Sequence, residues 1–207
     1  DGIWPRHAPA EVIGEGVPVP ERYDPEGFRS RHGLGDQRFV LYGGRREGAK
    51  NWGALLDGFV SAIRKEDLDL SLVTFGVGDV VVPPDARDRV VDLGLISDRD
   101  RDDAVAAASA YLQPSAMESF SRTVMEAWLA GTPVIANSAS TVVTWHCERS
   151  GAGLTYEDDA ELEQCLRFVA EAPDEAAALA AGGRDYVLDN YTWPATLDRM
   201  EACLLYT

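Results

Sequence analysis

Apolar residues along this chain come in short, nearly unbroken runs, separated by longer stretches in which they recur every three or four positions. The runs are Phe39–Tyr42, Leu70–Phe75, Val90–Leu93, Ala110–Leu112 and Pro133–Ala136, and the intervening stretches include 50–65, 100–108 and 121–130. A short apolar run bounded by Gly or Pro reads as a strand buried on both faces, and an amphipathic stretch of ten or more as a helix. Their alternation predicts an α/β fold with a doubly wound parallel sheet. After Leu154-Thr155-Tyr156 the pattern turns helical, with 159–171, the Ala-rich 174–189 and 194–205 just past Trp193-Pro194. The beginning differs. Pro5, Pro9, Pro18, Pro20 and Pro25 fall in the first 25 residues, and proline fixes φ while removing a backbone donor, so no continuous helix or central strand fits there. Residues 1–36 therefore read as a linker or entry segment and 37–207 as the folded domain.

With 207 residues, 45% of them hydrophobic and 26% charged, the chain has room for one complete core. A formal charge of −16 disfavours nucleic-acid binding and docking on an anionic membrane, so any anion site must be a focused patch. No run approaches the roughly 18 apolar residues of a membrane helix. Cys147, Cys165 and Cys203 form neither a C-x-x-C pair nor an even framework, which points to reduced thiols and a cytoplasmic setting. The chain begins at Asp1 rather than Met, as expected of a piece of a longer protein.

In doubly wound sheets ligands bind beyond the carboxyl ends of the strands, and two loops there carry chemistry. The first, Gly43-Gly44-Arg45-Arg46-Glu47-Gly48-Ala49-Lys50-Asn51, follows the opening strand. Its glycines admit close backbone approach, Arg45 offers a planar fork and Lys50 a point charge, all suited to phosphate oxygens. The plain alternative is a βα turn with solvated bases. Favouring the ligand reading, a chain with 17 Arg and two Lys has placed one of those lysines here. The second loop, Ser115 to Arg122, leads into a helix closed by Gly131, whose free N-terminal amides form an anion site without any basic side chain. Glu118 lies just before that helix and Glu126 about two turns in, on the order of 10 Å away, too far for an acid–base dyad. Thr123-x-x-Glu126 has capping-box spacing, yet Val124-Met125 and Ala127-Trp128-Leu129 flank Glu126, and a carboxylate beside so much apolar surface wants a donor-rich partner.

Glu118 and Glu126 stand in an E-x7-E spacing within Gln-Pro-Ser-x-x-Glu-Ser-Phe-Ser-x-x-x-Met-Glu-Ala-Trp-x-Ala-Gly-Thr-Pro-Val-Ile-Ala, residues 113–136. That stretch resembles the donor-site motif of family 4 glycosyltransferases of GT-B fold. Arg45-x4-Lys50, Phe75-Gly76-Val77-Gly78 and Asp92-Leu93-Gly94 fit the same pattern in order, and Val12-Ile13-Gly14-Glu15-Gly16-Val17 looks like that family's crossing into its second domain. The resemblance implies a Rossmann-like C-terminal GT-B domain that binds a nucleotide diphosphate sugar, with the N-terminal, acceptor-binding half absent. It implies sugar transfer with retained configuration and neither metal nor cofactor. Arg45 and Lys50 would hold the diphosphate beside Gly44, Gly76 and the amides near Phe120, Ser121 and Arg122. Glu118 would accept from the sugar, Glu126 from the ribose, and Leu95 and Ile96 would lie near the base. The catalytic set on this chain is then Arg45, Lys50 and Glu118, and the chain alone is expected to transfer nothing. Any peripheral membrane contact would run through the absent half.

Departures stand beside the matches. Ser119 and Ser121 occupy positions where that family often has Gly, so a backbone needing positive φ is strained there. Ala139-Ser140-Thr141 replaces a commonly Gly-rich turn. His146-Cys147 reads as packing rather than a ligand pair. Asp98-x-Asp100-x-Asp102 fails as a calcium loop, since Asp103 and Ser109 stand where Gly and Glu belong. Asp67-x-Asp69 is assigned to solvent, and Tyr191-Thr192-Trp193 to an anchor on the sheet. A nucleotide-sugar epimerase and a non-catalytic nucleotide- or protein-binding domain are the competing functions.

Overall fold

In the computed structural model, which describes residues 12–66 and 68–204, the apolar runs become β1 (Phe39–Gly43), β2 (Ser71–Phe75), β3 (Val90–Asp92), β4 (Ala110–Gln113) and β5 (Val134–Asn137), joined by β6 (Gly153–Tyr156). The sheet order is β3-β2-β1-β4-β5-β6 and every pairing is parallel, as the alternating pattern predicts. Val40 pairs with Leu72 on one side and Ala110 on the other, so the order reverses between β1 and β4. A crevice opens at the carboxyl ends of those two strands, where the connections leave in opposite directions.

Successive strand residues face opposite layers. Val40, Leu72, Leu112 and Ile135 pack under α2 (Trp52–Glu66) and α6 (Asp159–Glu171). Leu41, Val73, Tyr111 and Val134 face α3 (Asp98–Ala107), α4 (Arg122–Leu129), α5 (Thr141–Ser150) and α8 (Ala181–Asn190). The fully buried Trp128 of α4 donates from Nε1 to Ala152 O at 2.9 Å. A Cβ on Gly183 would lie 2.4 Å from its ring, so only glycine lets α8 come this close.

The structure adds detail at four places. The segment read as a linker carries α1 (Pro25–Arg31), because proline at the first helical position gives up a donor that has no helical acceptor. Asp24 caps α1 by accepting from Gly27 N at 2.9 Å, and Phe28 is completely buried. Asp103 of α3 then accepts from Asp24 N at 2.8 Å and Arg31 Nη2 at 2.7 Å, tying α1 to the domain. Upstream, Val17 N donates to Tyr191 O at 2.7 Å. Second, 174–189 divides into α7 (Pro173–Leu179) and α8 at Ala180, ahead of Gly182 and Gly183, which have little helical propensity and are needed for close packing. Third, α5 was not anticipated, because its buried positions are only Val143, His146 and Cys147 and the apolar signal is weak. Fourth, the Tyr191-Thr192-Trp193 anchor is split: Tyr191 is buried while Trp193, opening α9 (Trp193–Leu204), is half exposed. Asp67 and the first eleven residues lie outside the described residues. Among those described, Cys147, Cys165 and Cys203 are all free, and no helix is long and apolar enough to cross a membrane.

Candidate functional site

The loop after β1 is held by three hydrogen bonds from the sheet. Tyr111 OH donates to Gly43 O at 3.0 Å, Tyr42 OH donates to Arg45 O at 2.7 Å, and Gly44 N donates to Phe75 O at 3.0 Å. Burial pushes the Tyr42 phenol up to about 12, so it stays a donor at any physiological pH. Gly76, at φ +133°, backs this loop, and a Cβ there would meet Gly44 O at 2.0 Å. The next residues diverge. Arg45 is two-thirds exposed and, among the described residues, reaches only Glu47, at 3.0 Å. Arg46 turns inward with its side chain 1% exposed, donating to Gly76 O at 2.8 Å, Gly78 O at 2.9 Å and the Asp92 carboxylate. Its guanidinium lies 5.9 Å from the Trp52 ring centre. Arg46 thus clamps the β1, β2 and β3 loops together, a positioning role that sequence reasoning missed; the only cue was one arginine of an adjacent pair facing a strand-end aspartate.

Lys50, at the end of a 3-10 turn, extends Nζ across the crevice to Glu118 Oε1 at 2.8 Å. Asn51, in the left-handed region at φ 57°, donates from Nδ2 to Pro114 O at 3.3 Å and joins the same two loops. Beyond Glu118 the backbone enters α4 through Ser121, whose φ of 68° and ψ of 71° place a non-glycine residue in the left-handed region. That conformation costs about 1–2 kcal/mol. Gln113 Nε2 helps hold it by donating to Ser121 Oγ at 2.5 Å. Ser121, not Thr123, is the N-cap, and no side chain caps α4, so the Thr123-x-x-Glu126 box does not form. The amides of Arg122 and Thr123 have no protein acceptor among the described residues, and they open at the positive end of the helix.

These elements enclose a cavity of about 420 Å³ lined by Gly44, Arg45, Lys50, Glu118, Ser121 and Arg122. Glu15, from the segment before α1, and Ser119 close its side. Three cationic side chains, a helix mouth and two carboxylates therefore meet in a protein that is otherwise strongly acidic. A neighbouring cavity of about 510 Å³ shares Glu118 and Ser119 and extends over Ala139, Ser140 and Thr141.

Five predicted residues lie elsewhere. Gly76 sits behind Gly44. Leu95 is 78% exposed and Ile96 half-buried against the core, both beyond β3. Phe120 is buried edge-on against Tyr191, with ring centres 5.0 Å apart. Glu126 lines a separate cavity of about 100 Å³ with Tyr23, Arg101 and Asp102. Burial holds the Glu126 carboxyl above the usual carboxylate range, against the pull of Arg101 and Arg122. Arg122 Nη2 stands 3.8 Å from its Oε1 and links it to the larger cavity. Tyr23 OH and Arg101 Nε are buried there without a hydrogen-bond partner. Among the described residues no group of three or more His, Cys, Asp or Glu side chains is placed to hold a metal.

A family model described as glycosyl transferases group 1 matches residues 37–171. Curated proteins give no match. Among solved structures, the sucrose-phosphate synthase of Thermosynechococcus elongatus superposes with a TM-score of 0.76 at 23% identity, covering 94% of this chain and 51% of that one. Anabaena HepE, solved in complex with UDP and glucose, gives 0.72 at 18% identity, with coverage of 94% and 54%. The C-terminal domain of a glycosyl transferase group 1 family protein from Francisella tularensis gives 0.66 at 14% identity and is itself covered to 97%. This chain thus spans about half the length of the first two and nearly all of the third.

Proposed function

Because the chain belongs to the group 1 glycosyl transferases, we propose that its 420 Å³ cavity holds the diphosphate of a nucleotide-sugar donor, and that residues 37–207 are the donor-binding half of a retaining enzyme. In this reading the free amides at the mouth of α4 take phosphate oxygens while Arg45 and Lys50 neutralise them, and no metal is needed to compensate the charge. The sugar lies in the 510 Å³ cavity with its hydroxyls donating to Glu118. Glu126 accepts from the ribose once Arg122 moves aside, and Leu95 and Ile96 border the base.

Transfer breaks the bond between the anomeric carbon and the phosphate oxygen as an acceptor oxygen bonds the same face of that carbon. The acceptor's proton passes to the departing diphosphate. Negative charge grows on that oxygen, and cations fixed beforehand stabilise it more than they stabilise the ground state. The acceptor-binding half lies outside this chain, so residues 1–207 bind donor and transfer nothing.

The observation that carries the reading is the ion pair from Lys50 Nζ to Glu118 Oε1, which brings the two motif loops together at an uncapped helix mouth. Titration calorimetry with UDP tests it. Binding that weakens at least tenfold in Lys50→Ala is expected; wild-type chain that takes up no UDP overturns it.

A further inference from the structure

Two apolar side chains stand out in solvent at the carboxyl end of the sheet: Val77, 60% exposed, in the loop after β2, and Leu95, 78% exposed, in the loop after β3. Each follows a glycine, and those glycines are bonded to one another, Gly76 N donating to Gly94 O at 2.8 Å. We propose that Arg46 is a positioning residue for the nucleobase of the donor: it fixes Val77 and Leu95 as one apolar platform on which the base lies, and does not itself touch the nucleotide. The base enters here only through the donor reading given above, on which this role rests.

The hydrogen bonds are the first ground. Arg46 N donates to Val77 O at 2.8 Å, and Nη1 donates to Gly76 O at 2.8 Å and Gly78 O at 2.9 Å, so three successive carbonyls accept from one residue. Gly76 and Gly78 sit at φ +133° and +115°, and a Cβ on Gly78 would stand 3.0 Å from the Arg46 Cβ, so the loop closes around this side chain. Arg46 Nη2 donates to Asp92 Oδ1, the same oxygen that accepts from Gly94 N at 2.9 Å. Gly94 is thereby tied at its amide through Asp92 and at its carbonyl through Gly76. Leu95 leaves from a fixed point.

The burial of a charge is the second. The Arg46 side chain is 1% exposed, and a well-packed apolar residue often holds such a place with equal or greater stability. An apolar side chain does not fix direction, whereas a planar guanidinium meets each acceptor along a set line and so orients the peptides that carry them. Position and chemistry agree. Gly44 lines the anion cavity, donates to Phe75 O at 3.0 Å and passes directly against Gly76, so the platform adjoins the place given to the diphosphate. Residues 76–78 and 93–96 contain no charged side chain. That surface holds nothing for a phosphate, and it suits the flat face of a base.

Calorimetry on the 207-residue chain compares UDP with pyrophosphate, which keeps the anion and lacks the nucleoside. Wild-type chain is expected to bind UDP about tenfold or more tighter than pyrophosphate. Leu95→Ala and Arg46→Lys each lower UDP affinity by about fivefold or more and leave pyrophosphate within about twofold. In the double variant the two losses do not add, because both act through one surface. Equal loss of both ligands in Arg46→Lys places its effect in the anion cavity or the fold at large and overturns the proposal. So do additive losses, or UDP affinity unchanged in either single variant. Wild-type chain that binds pyrophosphate as tightly as UDP keeps the anion cavity and overturns the platform; chain that binds neither fails the donor reading, and the platform falls with it. Thermal melts report on folding, and if Arg46→Lys does not fold, Asp92→Asn, at a partly exposed side chain, takes its place in the same cycle with the same expected outcomes.

Discussion

Lys50 and Glu118 are 68 residues apart in sequence and share one hydrogen bond, Nζ to Oε1 at 2.8 Å, across the mouth of the crevice. Within the protein the lysine's charge is thus already answered, and an incoming diphosphate competes with Glu118 for it. Removing the carboxylate's charge frees the lysine and lowers repulsion of the anion. Glu118→Gln is expected to bind UDP about three- to tenfold more tightly, whereas Lys50→Ala binds at least tenfold more weakly. Calorimetry on the two variants checks both signs, and weaker UDP binding in Glu118→Gln contradicts the competition.

Arg45 and Arg46 are expected to fail in different ways. Arg45→Ala removes an exposed side chain paired only with Glu47, so stability changes by less than about 0.5 kcal/mol. Its UDP affinity falls by about tenfold or more, the worth of a charge-assisted phosphate contact. Arg46→Leu takes away the donor to the carbonyls of Gly76 and Gly78, leaves the partly exposed Asp92 with Gly94 N alone, and costs about 2–3 kcal/mol. Urea denaturation separates the two.

At Ser121 the backbone strain and the hydrogen bond can be separated. Ser121→Ala keeps the φ of 68° and loses the bond from Gln113, so it destabilises by about 1–2 kcal/mol. Ser121→Gly loses the same bond but relieves the strain, and should be at least about 1 kcal/mol more stable than the alanine variant. Equal stabilities for the pair would show that the left-handed conformation costs nothing.

Glu126 is held above its ordinary pKa by burial, with partial compensation from Arg101 and Arg122. A raised carboxyl confers stability while protonated, fully present below its unfolded value and lost as pH rises through the folded value. Glu126→Gln is therefore expected to be more stable than wild type at pH 7, a difference that shrinks as pH falls into the ordinary carboxylate range. The same substitution weakens UDP binding if the ribose contact is real, so one variant gains stability and loses affinity.

His146 has the opposite sense. Burial drops its pKa to about 4 in the fold against 6.5 unfolded, so its contribution is present above 6.5 and is lost as pH falls toward 4. Wild type should lose on the order of 2–3 kcal/mol across that window beyond what His146→Gln loses. Melting curves at half-unit pH steps compare the slopes, and parallel curves reject the assignment.

The layers of this fold were legible because burial on both faces leaves an unbroken apolar run, and burial on one face a three-to-four periodicity. Both are local marks, and β1, β2, β4 and β5 carry them, as does α6 from 159 to 171. α5 was missed because it buries His146 among aromatic rings, and α1 because a proline that excludes helix interiors suits a helix start.

The candidate chemistry was legible to a similar depth. Sequence alone determined which residue types lie at the carboxyl ends of β1 and β4: three cations in one loop, an acid and a helix start in the other. Side-chain direction was decided only in three dimensions, by contacts between residues far apart along the chain. Gly76 lets the Gly44 backbone pass, which fixes the loop that sends Arg46 inward and Arg45 out. Packing of α3 against α4 turns Glu126 toward Tyr23 and Asp102 instead of toward Lys50. A side chain's direction depends on what already fills the space around it, and that information is spread across the whole core rather than written beside the residue.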